Sequence, residues 1–246
     1  MTCCKPIFLL ILAALIGIPL AISAQEAKPT KADISIGADF VSSYLWRALP
    51  QGNAPAIQPW GELSYKGFTF GTWSSFEFTG NFKEIDVYAK YTYKDFSLSV
   101  TDFFYPDYKG LDQDYFNFKN ETTGHAGELA LSFNGSEKIP FTVYAGVVIY
   151  GIPIDHQVND TLAMNYSSYF EINYLGKLNQ YTYNVFVGFT PTESYLYGTK
   201  QFSIFNVGLS AKKDIKITND FNIPMKLTLA TNPISKKFFV TLLLSL

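Results

Sequence analysis

The chain has 246 residues and a formal net charge of −2, with 19 basic and 21 acidic residues. Lysine and arginine form no cluster, so the sequence offers no electrostatic basis for binding nucleic acid. Phenylalanine (22 residues) and tyrosine (17 residues) are abundant, and both residue types favour β-strands. Composition therefore indicates a strand-rich protein whose partners are not nucleic acids.

A secretory signal is predicted at residues 1–24, which combine a positive start, an apolar core and small residues before the cleavage site. Cleavage after Ala24 would remove both cysteines and leave a chain that is stabilised without disulfides. Residues 25–31 are expected to form a short periplasmic leader, and residues 32–246 a single large domain.

From residue 32 onward, apolar and polar residues alternate with a period of two, which is the pattern of strands with two different faces. Each alternating segment spans nine residues or more. That is longer than the usual strand of about 5–6 residues, and it suits a tilted bilayer crossing, which takes about 9–11 residues. In chain order the twelve segments are 32–47, 56–65, 68–78, 84–93, 96–105, 125–133, 141–150, 167–175, 181–189, 202–213, 222–230 and 237–246.

The two faces of the predicted strands keep the same character along the chain. Within 84–93, for example, Ile85 and Val87 alternate with Glu84 and Asp86. One face of each strand is aliphatic or aromatic, and the other is small, polar or charged.

The links between the segments alternate in length. Those at 66–67 and 94–95 are two-residue turns, whereas the opposite side carries long loops at 106–124 and 151–166. Short turns on one rim and long loops on the other are typical of outer-membrane barrels. An even strand count places both ends of the barrel on the short-turn rim, in the periplasm, and the two long loops outside the cell.

We therefore predict an all-β protein, an antiparallel up-and-down transmembrane β-barrel of about 12 strands in the bacterial outer membrane. Its partners would be outer-membrane lipid and, during assembly, the outer-membrane insertion machinery. The last strand, at 237–246, should pair with the first strand, because closure leaves no backbone edge in lipid.

The alternative fold is a soluble β-sandwich or a lipocalin-like binder, in which the apolar face would line a packed interior. Rings at the strand ends near the short-turn rim favour the membrane, where they would form an interfacial aromatic girdle. These rings belong to Tyr65, Phe68, Tyr91, Tyr93, Phe96, Phe133, Phe141, Tyr174 and Tyr181.

Several stretches resemble the TorF-type porin family of Gram-negative bacteria. The stretch at 39–75 matches the family's opening strands, "DFFYPDY" at 102–108 matches its aromatic-Tyr-Pro step, and 220–246 is similar to its closing hairpin. One difference is that the chain ends in Leu246 rather than in an aromatic residue. The resemblance implies location and architecture more firmly than activity. The matching residues of the opening stretch are Trp46, Arg47, Gln51, Pro55 and Gln58.

The face opposite the apolar one carries charges of both signs, which indicates either a wet pore or a salt-bridged plug. A barrel of twelve strands encloses more space than a barrel of eight strands, whose interior is filled by side chains. We interpret the lumen as a narrow porin-like channel for small polar solutes or cations. The alternative function is a closed structural or surface-binding barrel that acts through loops 106–124 and 151–166. The predicted pore-lining residues are Asp33, Asp39, Arg47, Glu62, Glu77, Asp86, Lys90, Glu128, Glu171, Lys212 and Lys226, and Glu84 shares their parity.

Arg47 is the single arginine of the chain. A guanidinium binds a carboxylate with two parallel hydrogen bonds, which a lysine ammonium cannot do. We hypothesise that Arg47 pairs with Glu77 or Glu62 and holds the first extracellular loop across the mouth, at the narrowest point. The alternative is an arginine at the rim in water.

No motif for a catalytic site, a cofactor or a metal centre is present, and we predict that the chain is not an enzyme. A Ser–His site would need a serine near His125, and both His125 and His156 are more simply explained as exposed loop residues. The acidic stretch 112–114 could hold calcium weakly, but a solvated loop is the simpler interpretation.

Overall fold

The computed structural model describes residues 31–106, 114–151, 153–155 and 163–246. Outside the described residues lie the predicted signal, nearly all of the predicted leader, His156, positions 112 and 113 of the acidic stretch, and parts of both long loops. Across the described residues there is no helix long and apolar enough to cross a bilayer.

The strands begin and end close to the predicted boundaries, because the period-two pattern changes only at turns. Within the described residues they are β1 (Asp33–Val41), β2 (Tyr44–Trp46), β3 (Leu49–Gln51), β4 (Ala56–Tyr65), β5 (Phe68–Glu77), β6 (Lys83–Tyr93), β7 (Phe96–Phe104), β8 (His125–Phe133), β9 (Phe141–Tyr150), β10 (Ser168–Leu178), β11 (Tyr181–Thr190), β12 (Ser203–Lys216), β13 (Asn222–Asn232) and β14 (Lys237–Ser245).

Twelve strands of this part of the chain, β1 and β4 to β14, close into one antiparallel up-and-down barrel. The strand β14 returns to β1, where Asp39 faces Ser245. Ala38 and Leu246 extend this seam through two backbone hydrogen bonds of 3.0 and 2.9 Å. The predicted fold class and the predicted partner of the last strand are confirmed.

The first segment ends earlier than predicted, at Val41 rather than at residue 47. Ser42 is still hydrogen-bonded to β14: its N–H donates to the Leu242 carbonyl at 2.9 Å, and its hydroxyl accepts from the Leu242 N–H at 2.9 Å. The chain then leaves the wall and forms the separate hairpin β2–β3.

Packing between aromatic rings explains why the chain leaves the barrel wall after Ser42. The Tyr44 ring lies 5.1 Å from Trp73, and the Trp46 ring lies 6.0 Å from Phe103. Trp73 and Phe103 belong to wall strands, so these contacts place the hairpin inside the barrel. The alternation of apolar and polar residues carries no information about contacts between distant segments.

The outer face of the barrel is apolar, and the inner face is polar and enclosed. Phe238 is 65% exposed and Val87 is exposed, whereas Glu128 is only 2% exposed. On β6, Glu84 and Asp86 are buried on the inner side of the same strand. A packed apolar interior, as in the soluble alternative, is therefore not the arrangement of these strands.

Aromatic rings gather on the outer face near the short turns. Such pairs contribute about 0.5–1.5 kcal/mol each beyond the burial of their area. Three cross-strand pairs have ring centroids 4.6 to 5.3 Å apart, namely Phe68–Tyr91, Phe96–Phe133 and Phe141–Tyr174.

Candidate functional site in the barrel lumen

The hairpin β2–β3 has Arg47 and Ala48 at its tip, between the paired residues Trp46 and Leu49. The φ angles of Arg47 and Ala48 are 50° and 54°, and a type I′ turn requires positive φ at both of these positions. Asn and Gly are the residues that adopt this region readily, and other residues carry strain of about 1–3 kcal/mol each. The surroundings must therefore hold this turn in place.

The Arg47 guanidinium is held by a carboxylate and two hydroxyl groups. Its Nη1 donates to Glu128 Oε2 at 2.7 Å, and its Nη2 donates to Glu128 Oε1 at 2.8 Å. Nη1 also donates to the Tyr197 hydroxyl at 2.5 Å, and Nη2 to the Tyr144 hydroxyl at 3.1 Å. The Tyr144 hydroxyl in turn donates to Glu128. The two-pronged contact with Glu128 has the geometry of a strong charge-assisted pair.

Two aromatic rings stack on the faces of the same guanidinium. The central carbon of the Arg47 guanidinium lies 4.3 Å from the ring centroid of Trp46 and 4.3 Å from that of Tyr169. Both distances are within the range of cation–π attraction, which strengthens when the cation is removed from water. The stacking fixes the plane of the guanidinium, and the hydrogen bonds fix its orientation in that plane.

Arg47 and Tyr197 each keep one protonation state in this cluster. Burial by itself would lower the pKa of Arg47, but the Glu128 carboxylate together with the Tyr197 and Tyr144 hydroxyls more than offsets this and raises the pKa well above its ordinary value. Burial also raises the pKa of Tyr197, and the positive charge of Arg47 opposes this only in part. The Tyr197 hydroxyl therefore stays neutral, and Arg47 stays protonated.

Two further carboxylates hold the hairpin to the wall. Glu77 of β5 accepts hydrogen bonds from the backbone N–H groups of Asn53 at 2.5 Å and Ala54 at 2.7 Å. Glu84 of β6 is hydrogen-bonded to the Tyr44 hydroxyl. Together with Glu128 of β8, these contacts fasten the tip and both ends of the hairpin.

The hypothesis for Arg47 needs one correction. Arg47 lies inside the barrel and makes a two-pronged pair with a carboxylate, but its partner is Glu128 and neither Glu77 nor Glu62. Glu77 is engaged by the hairpin backbone, and Glu62 accepts from the Tyr88 hydroxyl at 2.5 Å. The tip of the hairpin reaches beyond β4 and β5, which carry Glu62 and Glu77, to β8. Spacing along the sequence does not show how far the hairpin reaches.

The structure brings together only some of the predicted lining residues. Arg47 and Glu128 form an ion pair, and Asp39 acts electrostatically on Lys226. Glu77 and Asp86 are buried at separate points on the inner face. Glu171 accepts from Asn206 Nδ2 at 2.9 Å, and Lys212 lies opposite Lys226 in the strand register. Partly or fully exposed are Asp33, Asp39, Glu62, Lys90, Glu171, Lys212 and Lys226.

Two cavities lie next to the cluster, and both are bordered by Arg47 and Glu171. One, of 340 Å³, extends along β1 and β10 to β14 and is also lined by Lys226. The other, of 540 Å³, extends along β7 to β10 and is also lined by Glu128. The Arg47 side chain thus borders two spaces that are each large enough for several water molecules.

Sequence reasoning missed three tyrosines of the site. Tyr197 lies in the loop between β11 and β12, so no strand parity places it inside the barrel. Tyr105 ends the predicted segment 96–105 with the parity of the inward-facing Phe103, but its contact with Glu84 was not predicted. Tyr169 stands on the inner face of β10, and the only available signal was its parity with Glu171. Tyr144 lies on the inner face of β9, but its contact with Arg47 was not predicted.

His125 was expected to be exposed, and this expectation is wrong, since the residue is fully buried. Its Nδ1 lies 2.8 Å from Asp102 Oδ2, and its Nε2 lies 2.8 Å from the Tyr115 carbonyl. The Phe118 ring packs against it at 4.7 Å. Both ring nitrogens are engaged by these groups, and neither partner is a serine hydroxyl.

No protein-family model matches the chain, and a search of curated proteins finds no significant match.

Proposed function

We propose that the chain is an outer-membrane β-barrel whose lumen is a narrow porin-like channel for small polar solutes or cations. The support for a membrane location is the apolar outer face with its ring pairs near the short turns, because lipid is the solvent that suits such a face. The signal-like residues 1–24 are consistent with export. On this proposal, outer-membrane lipid and the insertion machinery are its partners.

The observation that carries the channel proposal is the position of Arg47. An inward hairpin brings this charge to Glu128 on a wall strand, and cavities of 340 and 540 Å³ are both lined by Arg47. A rigid charged pair with space beside it would both narrow the path and select solutes by charge. The contacts from β5, β6 and β8 would keep this constriction in place.

Preference for cations follows from the balance of inward charges. Of the twelve charged residues that were predicted to face the lumen, eight are acidic and four are basic. An acidic lumen attracts cations and concentrates them. The acidic ones are Asp33, Asp39, Glu62, Glu77, Glu84, Asp86, Glu128 and Glu171, and the basic ones are Arg47, Lys90, Lys212 and Lys226.

Single-channel recording tests the proposal. Purified protein in a planar bilayer should give discrete current steps, and the reversal potential in a salt gradient should show cation preference. Silence across many verified insertions, or anion preference, would contradict it. A matched control is the protein heated to unfold it before reconstitution, which should give no steps.

A closed barrel that binds partners through its loops is the second candidate. The observation in its favour is that part of the lumen is packed: Tyr169, Tyr197 and Phe205 form a buried cluster against which Trp46 packs. Such a barrel would give no current while remaining fully folded. Loops 106–124 and 151–166 would then carry the function.

The resemblance to the TorF-type porins belongs to the same proposal. It supports the location and the architecture more firmly than the activity.

A further inference from the structure

Two carboxylates that the Arg47 cluster does not use lie side by side in the wall. Glu84 and Asp86 occupy successive inward positions of β6, about 7 Å apart along the strand. Glu84 is 1% exposed and Asp86 is 6% exposed. Both positions are near the end of β6 that follows the loop from β5.

The surroundings of this pair are aromatic. Asp86 faces Trp73 on one neighbouring strand and Phe103 on the other. Glu84 is hydrogen-bonded by the hydroxyls of Tyr44 and Tyr105. Burial raises the pKa of Tyr105 well above its ordinary value, so this hydroxyl is neutral and can donate a hydrogen bond without adding charge.

One oxygen of each carboxylate has no hydrogen-bond partner, namely Glu84 Oε2 and Asp86 Oδ1. The charges that act on Asp86 come from Glu84 and Asp102, and both are negative. A buried carboxylate oxygen without a partner is costly, and two buried negative charges repel each other as well. Among the described residues, no positive charge acts on Asp86.

We propose that Glu84 and Asp86 bind one small divalent cation with a preference for oxygen ligands, of the calcium type. One such ion balances both carboxylates and provides a partner for both free oxygens. The described residues contain no group of three or more acidic, histidine or cysteine side chains positioned to hold a metal ion together, so water would supply the remaining ligands, as is common for such ions.

The bound ion would act on the hairpin through Tyr44. The Tyr44 hydroxyl is bound to Glu84, and its ring lies 5.1 Å from Trp73. An ion that fixes Glu84 therefore fixes the first strand of the hairpin. This role is independent of whether the lumen conducts.

Terbium is a suitable probe, because it replaces calcium at oxygen sites and emits when a nearby tryptophan is excited. Wild-type protein folded in detergent at pH 7.5 should show terbium emission on excitation of Trp73, and added Ca²⁺ should displace the emission. In Glu84→Gln and Asp86→Asn, the apparent affinity for terbium should fall by at least about tenfold, since each variant removes one of two charged ligands.

The matched control is Glu62→Gln, which removes another inward carboxylate whose partner is Tyr88. It should keep the wild-type affinity. Ca²⁺ should also raise the thermal unfolding temperature of the wild type and of Glu62→Gln, but not that of Glu84→Gln. Emission that is absent in the wild type, or equal in wild type and Asp86→Asn, would overturn the proposal and indicate that the pair carries protons instead.

Discussion

Arg47 is held by directional contacts that depend on the shape of its side chain. Four hydrogen bonds run from its two terminal nitrogens to Glu128, Tyr144 and Tyr197, and rings stack on its faces. A lysine ammonium carries the same charge, but it is a compact point charge without a planar fork. This position therefore requires the planar shape of the guanidinium as well as its charge.

Arg47→Lys should change the conductance and the cation preference of the channel, although the charge is kept. The reason is that a lysine cannot form both bonds to Glu128, so the carboxylate would turn toward the lumen. Single-channel current and reversal potential measure the effect. The matched control is Lys90→Arg, which alters another inward cation outside the cluster and should leave both quantities nearly unchanged. If neither Arg47→Lys nor Arg47→Ala alters the current, Arg47 does not form the constriction.

The hairpin β2–β3 is an inserted element rather than a part of the wall. Its two strands pair only with each other, and the turn between them has two non-glycine residues with positive φ. The strain of that turn is balanced by contacts with Glu77, Glu84 and Glu128. An element of this kind can be removed without breaking the ladder of β1 and β4, which pair from Asp33 to Val41.

Replacing residues 44–51 by a short Gly-Ser linker should leave the barrel folded and increase the single-channel conductance. The physical reason is that β1 and β4 keep their register while the lumen loses the Arg47 cluster. Heat-dependent mobility on gels and strand content by circular dichroism verify the fold. A folded variant with unchanged conductance would show that the hairpin is not the narrowest part. The same linker length placed in the loop between β13 and β14 serves as the control.

At the scale of the whole molecule, one alternating pattern gives the barrel an apolar outer face and a different inner face. Adjacent residues of β14 illustrate it: Leu242 is exposed on the apolar outer face, while Thr241 lines the 340 Å³ cavity. If the outer face meets lipid, the two positions must differ in their tolerance for charge.

Leu242→Arg should therefore lower the free energy of unfolding in lipid by roughly 2–4 kcal/mol, as a charge on the lipid face does near the middle of the bilayer. Thr241→Arg, one residue away, should cost much less, because its side chain points into a wet cavity. Reversible urea unfolding in lipid vesicles gives both values. Equal losses at the two positions would contradict the assignment of the faces.

Sidedness gives a further prediction. An epitope tag near Gly110, in the loop between β7 and β8, should be accessible to antibody on intact cells, because an even strand count places that loop opposite the ends of the barrel. A tag at Asn219, in the short link between β12 and β13, should be labelled only after the outer membrane is opened. The reverse result would invert the topology.

The strands of the wall could be predicted from the sequence, because alternation is a local property. Each strand turns an apolar face outward and its other face to the interior, so the period of two continues along each strand and stops at turns. The boundaries of β8 and β9 agree with those predicted. The pairing of β14 with β1 follows from closure of the barrel, and its antiparallel sense follows from the even number of strands. The buried state of His125 was missed, because it depends on Asp102 and on the later segment around Tyr115 and Phe118.

Only the tertiary structure decided where residues 44–51 go and which group Arg47 binds. Arg47 and Glu128 are separated by 81 positions, and Arg47 and Tyr197 by 150. No pattern in the sequence encodes a contact between an inserted hairpin and the opposite wall, because such a contact depends on the diameter of the closed barrel. The sequence by itself thus determined the wall and its two faces, and closure of the barrel decided the contents of the lumen.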